Sequence, residues 1–177
     1  MATRSPRKKA AASRGKDAIA LLKADHRQVE TWFASFEKAR SEARQADLAA
    51  KICKALTVHA EIEEEIFYPA FIEATGDEDT HHEAIVEHAG AKKLIAEIEA
   101  SSPGEDYFEA KVKVLSEMIK HHVKEEEQPG GMFSEARKSD MDLVALGKQL
   151  AARKRELMDG AGPRRSMQRE QSAALHA

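Results

Sequence analysis

A chain of 177 residues with 28 basic and 31 acidic side chains is long enough for one domain with a real core, and its one cysteine, Cys53, excludes an internal disulfide framework and fits a reducing, cytoplasmic setting. Six of the bases and none of the acids lie in residues 1–16, and three bases against two acids lie in 159–177, which leaves 19 bases and 29 acids for the body between them. So acidic a body does not look like a nucleic-acid binder, no apolar run approaches the length of a membrane span, and the basic start lacks the apolar stretch of a secretory signal.

Few glycines, prolines and aromatics, with many Ala, Glu, Lys and Leu, predict an all-α fold. Residues 1–16 have no apolar periodicity and read as a disordered basic arm, a solubilising tail rather than a nucleic-acid or membrane contact. Five helices are expected after it. The first spans 17–40, with an apolar seam Ile19, Leu22, His26, Val29, Phe33, Phe36. The second spans 46–74, with the seam Leu48, Ile52, Leu56, His59, Glu63, Ile66, Ala70; Pro69 should kink it and Gly76 should end it. The third spans 80–100, with Ile85, His88, Ala91, Ile95, Ile98, and stops at the turn Ser101-Ser102-Pro103-Gly104. The fourth spans 105–127, with Phe108, Val112, Leu115, Ile119, His122, Glu126, and breaks at Gln128-Pro129-Gly130-Gly131. The fifth spans 133–158, and 159–177 reads as a flexible tail. Short connections predict an up-down-up-down four-helix bundle over 17–158 with the fifth helix as an additional C-terminal one.

Each helix of that bundle carries a histidine in its apolar seam, and two add a glutamate one turn later. The pairs His59–Glu63 and His122–Glu126 share the spacing i, i+4, which puts both side chains on one face about 6 Å apart along the axis. Four histidines and two carboxylates in one core are destabilising without a cation, because buried charge must be paired or metal-bound. A metal pair resolves the conflict: imidazoles supply nitrogen, and carboxylates supply charge and can bridge two ions. His26, His59, Glu63, His88, His122 and Glu126 are therefore the expected ligands.

Other residues fit less well. His82-Glu83 fails the zinc-protease pattern because Val86 stands where the second histidine belongs. Glu78 and His81 form one isolated E-x-x-H, and the ferritin-type pattern needs two. His121 points off the seam. Glu30 follows His26 by four, but the seam continues through Val29 and Phe33. Glu61, Glu64, Glu65, Glu125 and Glu127 read as a solvated face, and Cys53 as buried packing.

Taken in order, Asp25-His26, the H-x-x-x-E-E of His59, Glu63 and Glu64 ahead of Tyr68-Pro69, Glu87-His88, and the H-x-x-x-E-E of His122, Glu126 and Glu127 resemble the hemerythrin-like, HHE cation-binding domain proteins of bacteria over about residues 17–135. The resemblance implies a four-helix bundle with a non-haem centre, usually of two irons; manganese and zinc suit the same ligand chemistry. It assigns His26 and His59 to one metal, His88 and His122 to the other, and Glu63 and Glu126 to the bridge between them. Oxygen carriers of this family have a second histidine one turn before His88, where this chain has Ala84; His81 lies two turns before, about 10 Å away along the axis. An open position on that metal favours a protein that binds O2, NO, peroxide or iron in sensing, storage or oxidative-stress response over bulk oxygen transport. The alternative is a catalase- or peroxidase-like di-iron oxidoreductase, and a third possibility is a metal-free helical interaction module. A small diatomic or peroxide ligand is the expected partner, with no nucleic acid and no membrane.

Overall fold

In the computed structural model residues 17–160 are described; the basic arm expected at 1–16 and nearly all of the expected tail lie outside them. The described chain is helical throughout: α1 Ala18–Lys38, α2 Glu42–Ile62, a π-turn Glu63–Phe67, α3 Tyr68–Thr75, α4 Glu78–Glu99, α5 Phe108–Glu127, α6 Met132–Lys138 and α7 Leu143–Met158. The starts of α1, α2, α4 and α7 are fixed by side-chain caps, which satisfy backbone N–H groups that have no partner inside the helix. Asp17 accepts from the Ala20 N–H at 2.7 Å, Asp77 from Thr80 at 3.1 Å and Asp142 from Ala145 at 2.9 Å. Gly76 ends α3 in the left-handed region, at φ 69°, as expected for a glycine stop.

Two expectations need correction. The predicted second helix runs through a π-turn, in which the Tyr68 N–H donates to the Glu63 carbonyl, five residues back rather than four. The cause is Pro69, which sits at the start of α3. In a regular α-helix its ring would crowd the carbonyl four residues earlier, and a widened turn removes the clash without a sharp break. The extra residue also rotates the seam. Ile66 and Ala70 are only partly buried, while Phe67, Tyr68 and Phe71 are fully buried in their place. The predicted fifth helix is two helices, α6 and α7, because residues 139–142 leave helical geometry and Asp142 caps a new start.

The long helices α1, α2, α4 and α5 close a ring: α1 touches α2, α2 touches α4, α4 touches α5 and α5 touches α1. The apolar core is split in two. One cluster includes Leu22, Ile62, Phe67, Phe71, Met132, Phe133 and Leu150, and lies under α6 and α7. The other includes Val29, Phe33, Ile52, Leu56, Ile95 and Leu115. Along α1 the boundary between them falls at His26, along α2 at His59 and along α4 at His88. The polar residues thus occupy one layer across the bundle, sealed from both ends by hydrocarbon.

Candidate metal centre

All six expected residues reach this layer, and none is more than 6 % exposed. The i, i+4 spacing sets each histidine–glutamate pair on the inner face of its helix, giving His59 Nε2 to Glu63 Oε1 at 3.3 Å and His122 Nε2 to Glu126 Oε1 at 3.6 Å. The histidines meet in two pairs through their Nε2 atoms. His26 and His59 are 3.0 Å apart and His88 and His122 are 3.2 Å apart. Each carboxylate touches both pairs: the second oxygen of Glu63 is 3.5 Å from His88 Nε2, and that of Glu126 is 3.4 Å from His26 Nε2. Two donor sets result, His26, His59, Glu63 and Glu126 in one and Glu63, His88 and His122 in the other, each with its ligand atoms within 4.8 Å of one another.

The outward nitrogens form a second ring. The Nδ1–H of His26 donates to Glu127 at 2.8 Å, that of His59 to Asp25 at 3.5 Å, that of His88 to Glu64 at 2.9 Å and that of His122 to Glu87 at 2.7 Å. The pattern is cyclic. A carboxylate beside one helix's inner residue holds the histidine of the next helix, from α1 to α2, α2 to α4, α4 to α5 and α5 back to α1. Placing the proton on Nδ1 leaves the Nε2 lone pair free to face inward. Glu64 and Glu127 are therefore not part of a solvated face. They are partly buried supports, and the doubled acids of both H-x-x-x-E-E strings are explained by one inner and one outer role.

Tyr68 was not among the expected residues. Its hydroxyl lies 3.2 Å from His88 Nε2, 3.4 Å from Glu126 Oε1 and 3.5 Å from Glu63 Oε2. The π-turn carries it there, since in regular helical register Phe67 would follow Glu63 on this face. The signals available were Pro69, which implied an irregular turn without giving its direction, and the Tyr68-Pro69 string within the family resemblance. Glu30 does not approach the layer; it pairs with Arg27. His81 stacks edge-on against Tyr68 with centroids 5.7 Å apart and belongs to neither donor set.

The electrostatics of the cluster are frustrated. Burial, reinforced by the charge of Glu63, pushes the Glu126 carboxyl up from its ordinary value. Burial and the His59 charge press His26 down to about 4. Burial also opposes charge on His59, yet Glu63 and its hydrogen bond to Asp25 raise it to about 10. Burial works to raise Glu63 too, but the neighbouring histidine charges, His59 foremost, hold it low. Even with protons shared in this way, Glu63 Oε1 and Glu126 Oε2 have no hydrogen-bond partner. Orphaned buried oxygens are rare and point to a missing cation or water. Nitrogen and oxygen donors in two sets that share Glu63 suit the binding of a metal cation.

Beside the histidines is a cavity of about 30 Å³ walled by Val29, Leu56, Ala91, Ile95, Ile119 and Val123. Its size admits one small molecule, and Asp25, Lys92 and the four histidines complete a lining whose exposed surface is almost wholly apolar.

The family model "Hemerythrin HHE cation binding domain" matches residues 17–129. The chain belongs to this family. A hemerythrin HHE cation binding domain-containing protein from Mycobacterium kansasii has a similar solved structure, with a TM-score of 0.67 and 25% identity over 82% of this chain and 89% of that one. A curated relative described as a DNA nickase, from Nostoc sp., is 32% identical over 107 residues. That match takes in 60% of this chain, which spans only 30% of the relative's length. The family match ends at residue 129, in the α5–α6 loop, while the likeness to the solved structure takes in a larger share of the chain. No helix among the described residues is long and apolar enough to cross a membrane.

Proposed function

We propose that this HHE domain binds two iron ions, held by His26 and His59 on one side and His88 and His122 on the other, with Glu63 and Glu126 bridging, and that the pair handles a small ligand such as O2, NO or peroxide in sensing, storage or stress response. The observation that carries the proposal is the unpartnered oxygen on each of two fully buried carboxylates, each facing histidines from both pairs. The open position expected from Ala84 is partly met by Tyr68, whose hydroxyl is the additional oxygen donor on the His88 side. Bound iron supplies Lewis-acid and redox chemistry toward a ligand in the small apolar cavity. The chain's own part is to aim the imidazoles through the outer carboxylates, to exclude bulk water and to hold protons. Burial and the charges of Glu63 and Glu126 raise the Tyr68 phenol well above its ordinary value, so in the metal-free chain it keeps its proton and can donate to an acceptor beside His88.

That phenol is the specific observation favouring a second reading, a catalase- or peroxidase-like oxidoreductase, because peroxide turnover needs a proton donor beside the metal. A cytoplasmic, reducing setting suits the lone thiol of Cys53, which burial pushes up to about 12 and leaves unreactive. Metal analysis with an optical spectrum, taken before and after peroxide, tests the centre. About two irons per chain with charge-transfer bands that change on peroxide are expected for such a site. Steady peroxide consumption then favours the enzyme, and a single stoichiometric change favours the sensor. A colourless chain that takes up no ferrous iron overturns both and leaves a plain helical module.

A further inference from the structure

The four outer carboxylates are not equally neutralised. Glu127 is met by Lys23 at 3.2 Å and by Arg27, Glu64 by Lys92 at 2.6 Å and Asp25 by Lys154. Beyond His122, whose Nδ1 it meets at 2.7 Å, Glu87 on the α4–α5 face has only the His121 imidazole, at 3.3 Å, among the described residues. Next to it a cavity of about 110 Å³ opens between α4, α5 and the loop before α6. Its wall contains Glu83, Glu87 and Glu125, and no Lys or Arg among the described residues. It also contains two members of the centre, His122 and Glu126, and the small side chain of Ala84. The Glu126 side chain is 2 % exposed, and its Oε2, which lacks a hydrogen-bond partner, lies 3.4 Å from His26 Nε2 in the core behind this wall.

The loop is shaped to leave the passage open. Gly130 has φ +83°, and a Cβ on Gly131 would fall 2.2 Å from the Glu125 carbonyl, so only glycine lets the chain turn this closely over the end of α5. Glu125 is held at the rim by Gln128, whose Nε2 donates to it at 2.9 Å. A second cavity, of about 150 Å³, also reaches His88 and His122 on this face, but Glu87 is the one carboxylate in its lining.

We infer that the α4–α5 vestibule is the entry route for divalent cations, with Glu83 and Glu125 drawing a hydrated ion in and Glu87 and Glu126 passing it to the core. The inference rests on the metal-centre reading and adds a route and a direction to it. A mouth lined by carboxylates with low-dielectric walls concentrates cations and repels anions, which raises association rates at low ionic strength.

The test is the rate at which metal-free full-length chain takes up Co2+, followed by its visible absorption in stopped flow. The double variant Glu83→Gln/Glu125→Gln should load about tenfold more slowly at low salt. It should still reach the same final stoichiometry, and its rate should lose most of the salt dependence of the parent. Glu83→Lys should slow loading further. A control that removes the same charge from exposed positions elsewhere, Glu73→Gln/Glu97→Gln, should load like the parent. The route is overturned if the vestibule variants load as fast as the parent, or if the control slows equally. A parent chain that binds no Co2+ overturns the metal centre itself, and the two failures are thus told apart.

Discussion

At the level of single residues, each histidine of the layer is aimed from behind, and its carboxylate support is as much a part of the centre as the inward nitrogen. Glu64 joins His88 to Lys92, so Glu64→Ala should leave the fold intact and weaken Co2+ binding on the His88 side by roughly 10–100-fold, the usual cost of losing such a support. An equilibrium titration against a competing chelator measures it, and an unchanged affinity contradicts the supporting role. Tyr68→Phe removes one oxygen from the layer and leaves the ring packing in place. If the hydroxyl ligates ferric iron, the variant loses a visible phenolate charge-transfer band while keeping about two irons. If the band is absent from the parent, the hydroxyl only donates hydrogen bonds. Protons supply a further check. His59, raised to about 10, carries its proton at neutral pH in the metal-free chain. A ligand nitrogen must shed that proton to bind metal, so apparent Co2+ affinity rises with pH, about tenfold per unit for each proton displaced, until the histidine's own value is reached. Titration between about pH 6 and 8, with calorimetry in two buffers of different ionisation enthalpy, counts the protons; a flat profile contradicts the assignment.

The helices themselves were largely legible in the sequence, because the seams of α1, α4 and α5 keep one period from end to end and only the polar residues interrupt it. His26, His59, Glu63, His88, His122 and Glu126 stood out for the same reason: each occupies a position where its neighbours one turn away are apolar. What lay beyond sequence pattern was anything that shifts the period. The π-turn at Glu63–Phe67 inserts one residue, so a seam traced at regular spacing passes from Glu63 to Ile66 and Ala70 and leaves out Tyr68. The outer carboxylates were hidden differently, since Glu64 and Glu127 sit off the seam and a partly buried partner has the same spacing as a solvated acid. The break between α6 and α7 was masked by a residue pattern that stays helix-compatible on both sides of Ser139. These last two helices close the end of the polar layer. Leu150 on α7 is fully buried in the cluster with Leu22, Ile62 and Phe67. Leu150→Ala should cost about 2–5 kcal/mol, seen as a lower Tm of the metal-free chain, with metal stoichiometry retained at temperatures where it stays folded. A loss well below that range means that α7 packs loosely and the layer is closed by α6 alone.

For the whole molecule, the polar layer makes folding and metal binding one equilibrium. The two apolar clusters on either side can hold the bundle together, but between them lie two carboxylates with unpartnered oxygens and four facing imidazole nitrogens, a slab whose desolvation is compensated only in part by shared protons. The unfolded chain has the same side chains in water and no assembled site. Metal that binds the assembled site and not the unfolded chain shifts stability by mass action, by about 2.7 kcal/mol when free metal is a hundredfold above its dissociation constant. For a domain of this length that corresponds to a rise in Tm of roughly 5–10 °C. Thermal unfolding with and without ferrous iron under anaerobic conditions should show the rise, and a chelator added before heating should abolish it. Glu63→Ala should act on both states. It leaves the buried His59 without the carboxylate 3.3 Å away that favours its charge, so Tm without metal falls, and the metal-dependent increment disappears. If instead the increment persists in the variant, Glu63 is a structural member of a proton-shared network and the layer is not organised around metal.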